Sequence, residues 1–182
     1  MNFRKIYEDL KTITKNHKFI NSFGFGDIKQ LTYLTQVRNN EDNPNNSPKS
    51  TVYPLMFVIP QTAQTDTRTM DYTFNILVMD IINDDYSNEI DVWSDTLQSA
   101  RDIAAHFKYS SEYREDYNIE PNFSFQPFSE RFDDYVSGWN LTLTIVTEDP
   151  LDDCIAPFFT ENILLQENSD DLLQENEDNI LI

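Results

Sequence analysis

The sequence predicts an α+β domain: a mainly antiparallel sheet of about four to five strands packed by two helices, with an extended acidic C-terminal segment. Three observations lead there. Apolar residues recur at helical spacing twice, near the N-terminus and again past residue 88. Alternation of apolar and polar residues recurs in several segments between and after them. Beyond Thr147 the pattern fades and the composition turns acidic.

The first helix is predicted over 3–18. Phe3, Ile6, Tyr7, Leu10, Ile13 and Thr14 fall on one side, and Arg4, Lys5, Glu8, Lys11 and Lys15 lie elsewhere around the cylinder. The turn-formers and two glycines of NSFGFGD, residues 21–27, break it. In IKQLTYLTQV, residues 28–37, Leu31, Tyr33, Thr35 and Val37 share a face at period two, which predicts a first strand. NNEDNPNNSPKS, residues 39–50, is polar with two prolines and no apolar residue, and predicts a long mobile loop.

VYPLMFVIP, residues 52–60, is apolar on both faces, so the predicted strand is covered on both sides. Pro54 and Pro60 push it toward a sheet edge or limit its length. DYTFNILVMDII, residues 71–82, predicts a third strand, alternating through Tyr72, Phe74 and Ile76. A helix follows: Asn88 and Asp91 have capping-box spacing. Ile90, Trp93, Leu97, Ala100, Ala104 and Phe107 form its predicted apolar stripe. NFSFQPFSERF places Phe123 and Phe125 on one side of a short strand. GWNLTLTIVT, residues 138–147, closes the domain with Trp139, Leu141, Leu143 and Ile145 inward and Asn140, Thr142 and Thr144 outward. LLQEN then occurs at 164–168 and again at 172–176, as expected of an acidic amphipathic segment that orders against a partner.

Composition narrows the functional classes. The 182 residues are 39% hydrophobic and 13% aromatic, enough for a core, while three glycines leave no Gly-rich phosphate loop. Net charge is −19 and unevenly spread. Residues 1–131 hold all 13 Lys and Arg with 19 acids, whereas 132–182 hold 13 acids and no base. Nucleic-acid gripping needs clustered bases, so the charge argues against it; an acidic wall instead lets DNA pass without sticking. Met1 to Leu10 is charged rather than signal-like, and no apolar run approaches the roughly 18 residues of a membrane helix. One cysteine, Cys154, excludes an internal disulfide framework. A soluble protein of a reducing compartment is the expectation.

Candidate chemistry is sparse. Glu148, Asp149, Asp152 and Asp153 are hard-cation ligand types, but their spacing is not that of an EF-hand and Pro150 interrupts them. A metal nuclease would want a Lys near strand-borne acids such as Asp80, and none is near. His17 and His106 both fall near helix ends, and His106 there favours the dipole. Cys154 lies among acids, which disfavour a thiolate. The expectation is a protein without catalytic residues, metal or cofactor. Trp93, Phe123, Phe125 and Phe128 suit a core, although the aromatic density of FSFQPFSERFDDYVSGW also suits a subunit interface.

In order along the chain, NSFGFGD, YPLMFVIP, LVMDIIND, SNEIDVWSDTLQSARDI and PFSERFDDYVSGW resemble the tail-completion and neck proteins of tailed bacteriophages, especially those of crAss-like and other Bacteroidetes phages. FSERFDDYVSGW is the most specific piece, and the resemblance covers most of 1–157. It implies a tail-terminator-like fold in 1–157, with 158–182 as an added acidic tail. It also implies a homo-oligomeric ring of about six or twelve copies, stacked with portal, neck or tail proteins around a channel through which DNA passes without specific binding. Such a protein is made in the host cytoplasm and resides in the virion, with no membrane contact. It brings no catalytic residue to carry over.

On this reading the subunit and partner contacts are expected in three places. The loop supplies Asn43, Pro44 and Pro48, and the aromatic region supplies Phe125, Phe128, Arg131 and Phe132. The acidic segment supplies Asp152, Asp153, Phe158, Phe159, Leu164, Leu165, Leu172 and Leu173. Two alternatives stand beside it: a small metal-dependent hydrolase using the acids at 148–153, and an assembly adaptor acting through its acidic tail.

Overall fold

Ile6, Leu10, Ile13 and Thr14 return every three to four residues. Helix α1, Phe3–Asn16, buries these four and leaves its lysines outward. The structure is a computed structural model in which residues 3–31, 52–66, 68–109, 118–120, 122–131 and 135–148 are described. The chain divides into two units, Met1–Leu151 and Asp152–Ile182, and every described residue belongs to the first.

After α1 come β1 (Ser22–Phe25), β2 (Leu55–Thr65) and β3 (Thr69–Ile81), then α2 (Glu89–Tyr109), β4 (Asn118–Ile119), β5 (Ser124–Arg131) and β6 (Tyr135–Glu148). They build a 6-stranded mixed sheet in the order β1-β2-β3-β6-β4, with β5 also paired to β6. β1 runs parallel to β2, and every other pairing is antiparallel. β6 is therefore an interior strand, paired on both sides. β3 flanks one side along its whole length, while β5 and β4 follow one another along the other.

Register decides which residues meet on each face. One face carries Met56, Val58, Phe74, Ile76, Val78, Leu141, Leu143 and Ile145, all buried. Against them pack Ile6, Leu10 and Ile13 of α1 and Ala100, Ile103, Ala104 and Phe107 of α2. This is the main core, and both helices lie over it. The opposite face holds a smaller cluster of Leu31, Leu55, Phe57, Met79 and Val136 at one end, with Leu77 and Phe128 against it. Elsewhere that face is polar: Thr73 pairs with Thr144 at 3.2 Å between hydroxyls, and Thr142 donates to Asn75 Oδ1 at 3.2 Å.

The closing strand follows its alternation: Leu141, Leu143 and Ile145 are buried, and Trp139 is half-buried on the same face. The double-sided apolarity of 52–60 also has its reason, because Met56 and Val58 enter the main core and Leu55 and Phe57 the smaller cluster. Pro60 does not end β2. The strand continues to Thr65 past a register shift between Pro60 and Thr62. β1 covers β2 only to Val58, so among the described residues no strand pairs with β2 beside Pro60 on that side, and its missing N–H breaks no ladder bond.

Four local expectations are corrected. NSFGFGD contains a strand, not only a turn: Ser22–Phe25 pairs with Leu55–Val58, and Gly26, at φ +150°, follows it. Residues 28–31 are helical rather than the start of a strand, and the remainder of the segment to Val37 lies outside the described residues. Asn88 does not cap α2. Its Oδ1 accepts the Asn83 N–H at 2.7 Å, and its Nδ2 donates to the Ile81 carbonyl at 3.3 Å. The buried stripe of α2 is Val92, Thr96, Ser99, Ala100, Ile103, Ala104 and Phe107, leaving Ile90 78% exposed. The loop proposed at 39–50 lies outside the described residues.

Candidate functional site

Three places on the described unit bring together side chains with chemical potential. The first lies where β3 runs into α2. Asp80 comes near the end of β3 beside Ser137 of β6, and its Oδ1 accepts the Ile81 N–H at 2.8 Å. Burial of this carboxyl raises its pKa above the usual value. The Ile81 N–H opposes that, and the nearby Asp95 carboxylate of α2 adds to it. Around the same helix start, the Ser129 hydroxyl donates to Glu89 Oε1 at 2.7 Å, and Trp139 Nε1 donates to the Trp93 carbonyl at 2.9 Å. A carboxylate pair without a third ligand does not make a metal centre. Among the described residues no group of three or more His, Cys, Asp or Glu is placed to hold an ion.

The second place is a hollow of about 290 Å3 between the end of α1 and the C-terminal half of α2. It gathers both histidines of the chain, His17 and His106, with Asp102, Lys18, Phe19 and an apolar floor that includes Ile13 and Ile103. His17 Nε2 lies 3.6 Å from Asp102 Oδ2, and His17 Nδ1 accepts the Phe19 N–H at 3.3 Å. A catalytic imidazole needs one nitrogen held by a carboxylate and the other facing a nucleophile. Here the backbone takes the second nitrogen, so the pair ties α1 to α2. The remaining oxygen of Asp102 accepts Gln98 Nε2 at 2.7 Å.

The third place is the sheet face opposite the helices. A hollow of about 330 Å3 is lined by Ile28, Leu77, Pro127 and Phe128 with Gln126, Glu130 and Asn140. Asn140 Oδ1 is buried there with no partner among the described residues.

The predicted contact residues are divided by the register. Phe125 opposes Leu141 and packs on the main core, whereas Phe128 opposes Gly138 and joins the cluster on the other face. They are not one patch. Arg131 is the last residue of β5, opposite Tyr135. Asn43, Pro44, Pro48, Phe132, Asp152, Asp153, Phe158, Phe159, Leu164, Leu165, Leu172 and Leu173 lie outside the described residues. Of the acids considered for metal binding, Glu148 is exposed at the end of β6, and the other three are likewise outside.

Sequence reasoning took the two histidines separately and missed their meeting. The spacing of Asp102 and His106, four apart on a helix, was a usable signal for half of it. The approach of His17 to Asp102 crosses the domain and leaves no trace in a single sequence. No described helix is long and apolar enough to cross a membrane. No family model and no curated protein matches the chain.

Proposed function

We propose that this chain is a structural subunit of a homo-oligomeric ring in the neck or tail of a tailed bacteriophage, joining portal-side and tail-side components around the DNA channel. The observation that carries the reading is where the resembling segments fall. NSFGFGD holds β1, YPLMFVIP opens β2, LVMDIIND ends β3, the following segment holds α2 as far as Ile103, and PFSERFDDYVSGW runs from the end of β5 into the start of β6, which pair. The segments are thus parts of one sheet and its covering helix, rather than scattered likenesses.

Architecture supports it further. Helices α1 and α2 lie over one sheet face, while the other carries uncharged Thr and Asn pairs and an apolar hollow beside the short helical turn at 28–31. β1 is only four residues long and stands at the end of the strand order, so among the described residues no strand pairs with its outer edge. A ring needs each subunit to present two different surfaces, and a sheet with two unlike faces provides them. The excess of acids suits a conduit that DNA must cross.

Native mass spectrometry of the purified chain, together with peptide mapping of purified particles, tests the proposal. The expected result is a closed oligomer in solution or on its portal-side partner, and peptides of this chain in the particle. A strict monomer absent from particles overturns it.

A further inference from the structure

We propose that the C-terminal half of α2 is a docking surface for an acidic, leucine-bearing peptide, and that its occupant is segment 164–176 of a second copy of this chain. The assignment to a second copy rests on the ring reading above; the surface itself does not.

Two hollows flank this half of the helix, and Asp102 lines both. The first, of about 290 Å3, is floored by Ile13 and Ile103 and edged by Phe19 and Lys18. The second, of about 300 Å3, lies against Phe123 and Phe125 and is edged by Arg101, Lys108 and Tyr109. Each hollow has a large exposed aromatic at its rim: Phe19 is 68% exposed and Tyr109 65%. Such groups beside an apolar floor mark a surface that gains by being covered.

Charge selects the partner. In a chain of net charge −19, this surface gathers Lys18, Arg101 and Lys108, with His17 and His106. The one acid among the described residues lining the hollows, Asp102, is already engaged by Gln98 and His17. A cationic rim around apolar floors favours a peptide that alternates acids with large aliphatic residues. The sequence LLQENSDDLLQEN, residues 164–176, is such a peptide. It carries Glu167, Asp170, Asp171 and Glu175 without a base, and it offers two leucine pairs to two hollows. Leu165 and Leu172, seven residues apart, fall on one side at helical spacing.

The test uses fluorescence anisotropy of a labelled synthetic peptide of residues 164–176. It is titrated with the full chain in which Leu164, Leu165, Leu172 and Leu173 are replaced by serine, so that the chain's own segment does not compete. Saturable binding is expected. It should weaken about tenfold or more when Lys18→Glu and Arg101→Glu are added, and also when salt is raised. Both substituted residues are exposed, and circular dichroism checks that the fold is kept. Absence of saturable binding, or binding indifferent to the charge reversals, overturns the surface.

Mixing then distinguishes the source. A chain with Lys18→Glu and Arg101→Glu, combined with the serine-substituted chain, retains one intact contact and should form hetero-oligomers detectable by native mass spectrometry. If the peptide binds but the mixture does not associate, the second-copy assignment is wrong. If the peptide fails while the parent chain still forms oligomers, this inference falls and the ring reading survives on other contacts.

Discussion

Gly138 is where one atom decides most. It lies in β6 between Met79 of β3 and Phe128 of β5, and a Cβ built there would meet the Val78 carbonyl oxygen at 2.0 Å and Met79 Cα at 2.8 Å. Those are backbone atoms of a neighbouring strand and cannot swing aside. Gly138→Ala should therefore destabilise the protein by about 3 kcal/mol, the upper part of the overpacking range. Urea denaturation of the two proteins measures it; an unchanged midpoint would show that the strands separate freely here. Asp80 gives a second prediction at this scale. Its native pKa is raised, chiefly by burial, so the unfolded chain ionises first as pH increases. Stability from this group is then highest below the ordinary carboxylate range. It is lost as pH rises through the window between the ordinary and the raised value. Asp80→Asn keeps an acceptor for the Ile81 N–H and removes the charge. The variant should be more stable than the parent near pH 7, and the difference should shrink toward about pH 3, as paired denaturation curves would record.

At the scale of elements, the start of α2 depends on a staple rather than a cap. The Asn88 side chain bridges the Ile81 carbonyl and the Asn83 N–H, fixing the end of β3 to the first turn of the helix. Asn88→Ala should cost about 1–2 kcal/mol through loss of the two hydrogen bonds. Amide exchange should quicken at Asn83 and at Val92, whose N–H donates to the Asn88 carbonyl, before it does in β6. The sequence made some elements readable and hid others for physical reasons. β6 was legible because Leu141, Leu143 and Ile145 alternate strictly with polar residues, and α1 because its burial is by large aliphatics. The face of α2 was not. Thr96 and Ser99 are buried, and their hydroxyls donate back to the Val92 and Asp95 carbonyls, so residues that read as solvent-facing belong to the core. Ile90, the most apolar residue of the first turn, lies outside it. β1 was hidden for another reason: its glycine and flanking turn residues signal a loop, and only pairing with β2 makes Ser22–Phe25 a strand.

For the whole molecule, the α+β class was legible because helical and alternating patterns occupy separate stretches. The mixed order of the sheet was not, since the parallel pairing of β1 with β2 joins segments separated by residues 26–54. The candidate surfaces were less legible still. The hollows beside α2 combine residues from α1, α2 and the strand region near Phe123, and no local pattern announces such convergence. Charge, by contrast, was plain from the sequence, and on the structure it acquires a place: bases flank the end of α1 and the last turns of α2, and Glu89, Asp91 and Asp95 occupy the helix's first half. A chain so polarised is suited to the head-to-tail contacts of the proposed ring, in which unlike surfaces meet. The central claim is that such subunits close a ring around the DNA channel. An electron cryomicroscopy reconstruction of the intact particle tests it most directly. The account predicts a ring at the neck or tail whose repeating unit fits the six-stranded sheet and its two covering helices. A reconstruction with every neck and tail ring assigned to other chains would contradict it.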